Sequence, residues 1–126
     1  MNVKSLVQGL SYVGRADGKR QTYYVFQGKD YFLVLSFSKT KRHAGNFNIV
    51  EEEAVEYVRS RFAGAKAVTV NDVVAKGKRT RHVPSPLAAL NVLYVAAAMG
   101  DLSVDARRAG PKLYFNFKRG LGPHRE

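Results

Sequence analysis

Residues 67–119 read AVTVNDVVAKGKRTRHVPSPLAALNVLYVAAAMGDLSVDARRAGPKLYFNFKR, and the order of elements in this stretch decides the fold. Residues 67–70 are small and β-branched and predict a short strand. Thr69 and Asp72 have the spacing of a capping box, so a brief helix follows over residues 72–75 and ends near Gly77. A basic linker occupies 76–83. Ser85-Pro86 is a strong helix start: the hydroxyl caps free N–H groups, and proline fits the first helical position. That helix runs over 86–99 and stops at Gly100. Residues 102–117 predict a hairpin with Ala109-Gly110-Pro111 near its tip, in which Leu113, Phe115 and Phe117 alternate with Tyr114 and Asn116.

Upstream, residues 51–63 predict a helix. Ala54, Val55, Val58 and Phe62 form its apolar stripe, Glu51, Glu52 and Glu53 sit where the helix dipole favours carboxylates, and Gly64 is a stop. Residues 1–50 predict an antiparallel β unit with strands over 6–13, 21–27, 31–38 and 47–50. Asp17-Gly18 and Gly28-Lys29-Asp30 mark its turns. Alternation in the third strand puts Tyr31, Leu33, Leu35 and Phe37 on one face and Phe32, Val34, Ser36 and Ser38 on the other. The first set is the more hydrophobic and is expected to face the core. The fold class expected is α+β: the β unit, then a helical unit over 51–119 sharing one core with it, then a loose tail over 120–126.

The order helix, strand, helix, helix, two-stranded hairpin across 51–119 resembles a winged helix-turn-helix. The resemblance is to an architecture and carries no sequence motif. It implies duplex DNA binding, with residues 85–99 as the recognition helix and 105–113 as the wing. One departure is plain: between Ser85 and Gly100 there is no Lys or Arg, so guanine readout by arginine is closed to this helix. Its polar groups are Ser85, Asn91 and Tyr94, and its leucines and alanines also suit a core helix.

The chain carries 21 Lys and Arg against 10 Asp and Glu, a net charge of +11 over 126 residues. Such a balance implies a polyanionic partner. The cations cluster. Lys39, Lys41 and Arg42 stand beside His43; Lys76, Lys78, Arg79 and Arg81 stand beside His82; Arg107, Arg108, Lys112, Lys118 and Arg119 lie in the hairpin. With Ser85 and Asn91, these groups are the expected nucleic-acid contacts, the last pair of the hairpin group excepted. The reading is therefore a DNA-binding regulator or specificity module that grips phosphates through basic loops, with DNA favoured over RNA. The alternative is RNA or single-strand binding on an aromatic sheet face, since residues 21–47 hold Tyr23, Tyr24, Phe26, Tyr31, Phe32, Phe37 and Phe47. A homodimer is a further partner reading.

The chain has no cysteine, hence no disulfide framework and no thiolate chemistry. No phosphate-binding loop, dinucleotide fingerprint or RNA-recognition signature is present. His43, His82 and His124 lack metal-ligand spacing, so no metal or cofactor is expected and a binding module is favoured over an enzyme. A nuclease remains a second alternative. Its candidates, Asp30 with Lys39 or His43 with Asn46 and Asn48, rest on sequence proximity. Residues 1–10 lack a signal-peptide core and the run 87–99 is too short to span a bilayer, so a cytoplasmic protein with no membrane partner is expected.

Overall fold

The computed structural model describes residues 8–18, 20–41, 45–77, 82–105 and 112–119. It mixes an antiparallel sheet with helices, as the α+β expectation requires. Strands β1 (Ser11–Asp17), β2 (Gln21–Gln27), β3 (Tyr31–Ser38) and β4 (Gly45–Glu51) form a meander in the order β1-β2-β3-β4. Helices α1 (Glu52–Phe62), α2 (Val70–Gly77) and α3 (Pro86–Ala98) follow, then a short pair, β5 (Leu102–Val104) and β6 (Phe115–Phe117).

Helix α3 is the axis of the molecule. It touches all four strands of the sheet on one side and α1 and α2 on the other. Its ends are built as the sequence predicts. Ser85 Oγ accepts the Ala88 N–H at 3.2 Å. At the far end Gly100, at φ 83°, lets the Gly100 and Asp101 N–H groups turn back onto the Ala97 and Ala96 carbonyls. This is a Schellman stop. The Thr69–Asp72 capping box also closes both ways, at 2.9 and 3.2 Å.

One core runs from the sheet through the helices to the hairpin. Val25, Phe32, Val34 and Val50 from the strands meet Val55, Val58, Val73, Val92, Leu93, Phe115 and Phe117. Arg59 is buried in α1 and donates from Nε to Asp101 Oδ2 and from Nη1 to Glu56 Oε2 at 3.3 Å, tying α1 to the turn after α3. The Tyr23 and Tyr94 rings stack at 3.9 Å between sheet and α3. Burial raises both phenol pKa values, and Tyr94 is raised further by Tyr23 beside it.

Several expectations need correction. The first strand is Ser11–Asp17 rather than 6–13, and residues 1–7 lie outside the described set. A β-bulge between Tyr12 and Gly14 resets its alternation, so Tyr12 and Arg15 share one face while Gly14 and Ala16 turn to the helices. Gly14 is required there because a Cβ would stand 2.6 Å from the Ala98 carbonyl oxygen. The strand expected over 67–70 shrinks to one bridge, Val68 with Phe115. Ala67, at φ 54°, breaks the extended backbone, and Val70 already belongs to α2.

The face assignment of β3 is reversed. Phe32, Val34 and Ser36 face the helices, while Tyr31, Leu33, Leu35 and Phe37 line the opposite face. Leu33 and Leu35 are buried all the same, at 3% and 4% exposure, with cross-strand neighbours on both sides. The tail, 120–126, lies outside the described residues.

Candidate nucleic-acid interface

The three helices of the described residues follow the sheet in sequence, and those that touch it lie on the face of Val25 and Phe32. Among the described residues, no helix covers the other face. Strand register places Tyr12, Phe26, Leu33 and Ile49 in one row across it. Arg15, Tyr24, Leu35 and Phe47 form the next row, and Thr22 and Phe37 a third. Tyr12 and Phe26 rings lie 5.4 Å apart, and Tyr24 meets Phe37 edge-on at 5.9 Å. Tyr12 remains 57% exposed, Phe47 49% and Ile49 57%. Surface aromatics in such a group are unusual on a free domain and mark a contact surface.

The two ends of this face differ in charge. The β1–β2 and β3–β4 turns share one end, with exposed Arg15, Arg20, Lys39 and Lys41. The end is well built. Lys39 N–H donates to Arg20 O and Lys39 Nζ to Gly18 O, both at 2.9 Å, linking the two turns. Ser38 Oγ accepts the N–H groups of Thr40 and Lys41, which fixes the start of the second turn. Asp17 lies 3.5 Å from Arg15 and 3.9 Å from Lys39, offsetting part of the charge. Lys41 and Arg20 have no carboxylate partner among the described residues.

The other end gathers carboxylates. Asp30, Glu51, Glu52, Glu53 and Glu56 line an open cleft of about 600 Å³ with Tyr57, Ser60 and His82. Glu51, Glu53 and His82 bring one ligand atom each within 4.8 Å of one another, a geometry that suits a divalent cation. Sequence reasoning missed this grouping, because His82 arrives from a linker some thirty residues beyond the glutamates.

The expected site residues thus separate. Lys39 and Lys41 stand at the basic end of the open face. Lys76 is exposed at the end of α2, and Lys112 is exposed beside Thr69 and Leu90 in a shallow groove. Arg42, His43, Lys78, Arg79, Arg81, Arg107 and Arg108 lie outside the described residues.

Two of the expected contacts, His82 and Asn91, are corrected. His82 stacks on Tyr57 at 5.3 Å beside the acidic cleft, where phosphate is repelled. Asn91 is 5% exposed and donates from Nδ2 to Leu87 O at 3.0 Å, so it serves the helix and not a ligand. Ser85 Oγ accepts the helix-cap hydrogen bond from Ala88 N–H and is half-buried. The expected recognition helix is buried from Asn91 to Ala96, and its exposed first residues, Pro86 and Leu87, carry no hydrogen-bonding side chain for base readout. Tyr23 and Phe32, proposed above as base-stacking candidates, face the helices and belong to the core. Asp30 and Lys39 lie at opposite ends of β3, so they form no nuclease pair.

No helix among the described residues is long and apolar enough to cross a membrane. Comparison with protein families, curated proteins and solved structures gives no match to this chain.

Proposed function

We propose that the chain is a nucleic-acid-binding module that takes single strands on the open sheet face. One observation carries this reading: exposed aromatic rings on a sheet face that no helix among the described residues covers, continuous with a basic end, in a chain of net charge +11. Every base offers a π-face, so stacking on Tyr12, Tyr24, Phe37 and Phe47 needs no sequence signature. Arg15, Arg20, Lys39 and Lys41 lie where the sugar–phosphate backbone leaves the rings.

A second reading, duplex binding by a winged-helix unit, is favoured by the Val68–Phe115 bridge. It sets residue 68, β6 and β5 side by side, in the order of that architecture's sheet. Exposed Lys76, Lys112, Lys118 and Arg119 would then contact phosphates without a groove-reading helix.

The experiment is fluorescence anisotropy with a single strand, a random duplex and a structured RNA across a salt series. The single-strand reading expects tighter binding to the unpaired oligonucleotide. Neutralising Lys39 and Lys41 together should lower the log–log salt slope by about 0.7 for each lost phosphate contact. Duplex preference with unchanged slopes in that variant would move the site to the winged-helix side. No binding to any nucleic acid at low salt would end both readings.

A further inference from the structure

We propose that β4 is a dimer seam: two copies of this chain join β4 to β4, antiparallel across a twofold axis, into one continuous sheet. This inference does not depend on the nucleic-acid reading.

The first ground is an open edge. β4 pairs with β3 on one side, and among the described residues no strand or backbone hydrogen bond occupies the other. Edge strands of free monomers are usually blunted by charge, proline or a bulge. Residues 45–50, GNFNIV, contain none of these.

The second ground is apolar exposure along that edge. Phe47, Ile49 and Leu87 are all strongly exposed, and Ile49 and Leu87 flank a groove of about 300 Å³ between β4 and the start of α3. A strand added to β4 fills this groove and covers Leu87.

The third ground selects the occupant. An antiparallel pairing centred on Asn48 sets Phe47 opposite Ile49 of the second copy. It also brings the acidic end of one sheet, Glu51 to Glu53, toward the β3–β4 turn of the other, which carries exposed Lys41. The charges that keep two +11 chains apart elsewhere are complementary here, twice over, by symmetry. An arbitrary extended peptide would not supply that match. On such a dimer both open aromatic faces lie on the same side of one sheet.

The test uses the whole chain without nucleic acid. Sedimentation equilibrium should give twice the chain mass, and Ile49→Lys should return it to the single mass with its circular dichroism unchanged. Because the chain has no cysteine, Asn48→Cys introduces one thiol next to the axis. Directly opposed residues of antiparallel strands have Cα atoms about 4.5 or 5.5 Å apart, inside the range of about 4.4–6.8 Å that a disulfide spans. Mild oxidation should therefore convert Asn48→Cys to a covalent dimer and leave Tyr12→Cys, on the far edge strand, as monomer. A chain that sediments as a monomer at every concentration overturns the proposal and leaves the edge to a different partner. Equal crosslinking of both cysteine variants also overturns it.

Discussion

Phe47 and Phe32 lie on neighbouring strands of one sheet and point to opposite faces, so truncating each in turn separates binding from folding. Phe32 is 1% exposed and packed in the core. Phe32→Ala removes the ring and leaves a cavity that helices on one side cannot close, a loss of about 3–5 kcal/mol. For a domain of this size that is a fall in Tm on the order of 10 °C or more. Phe47 is 49% exposed. Burying a phenylalanine fully is worth about 1.5–3 kcal/mol, so Phe47→Ala forfeits at most about 1.5 kcal/mol of stability. If single strands stack on it, the same change costs about 1–3 kcal/mol of affinity, or roughly 5- to 150-fold in Kd. Thermal melts and single-strand anisotropy on the two purified variants give the answer. A Phe47→Ala protein that melts several degrees lower yet binds as before would refute the open-face argument. So would a Phe32→Ala protein that folds as the parent does.

The remaining predictions concern what holds the fold. Asp101→Asn should destabilise the protein by about 3–5 kcal/mol in urea titrations, because it leaves Arg59 charged and buried with its main partner weakened. Replacing both Arg59 and Asp101 by apolar residues should cost less than that single change. Stability should fall as pH rises past 10, by about 1.4 kcal/mol per pH unit for each tyrosine held protonated. The unfolded chain releases those protons near the ordinary value of 10.0 while buried Tyr94 and Tyr23 retain theirs. Tyr94→Phe should flatten that alkaline limb in denaturation measured from neutral to high pH. Gly14→Val should destabilise by at least about 1–3 kcal/mol, because β1 and α3 must part to admit the side chain, and calorimetry reads the loss.

Much of the fold was legible in residue order. β2 and β3 fall where alternation and the Gly28–Asp30 turn put them, and Asp30 adopts the positive φ (67°) that turn needs. The start of α3 follows from two residues, Ser85 and Pro86. What alternation does not reveal is which face of a strand receives the helices. In β3 both faces are apolar, and the set with more large side chains lies on the side away from the described helices. The bulge in β1 was hidden for a related reason: one extra residue shifts the period, and Gly14 reads as a turn signal until Ala98 is placed above it. The acidic cleft was illegible because Asp30, Glu51 to Glu56 and His82 meet only after the sheet and helices assemble. The burial of Asn91 was equally out of reach, since a polar residue in an apolar helix reads as a contact until its Leu87 acceptor is known.

The opposite charge at the two ends of the sheet gives the described sheet a dipole along its strands, over roughly 20 Å. In the field of a polyanion a net positive charge is drawn in, whereas a dipole is also turned. The torque acts beyond contact range and fades within about a Debye length. On the nucleic-acid reading proposed above, a single chain would arrive already rotated, basic turns leading and the His82 cleft trailing toward solvent. In the twofold pair the two dipoles run antiparallel and cancel within the sheet plane. On both proposals together, the pair would keep the pull and lose the tilt, meeting a strand broadside with both aromatic faces toward it.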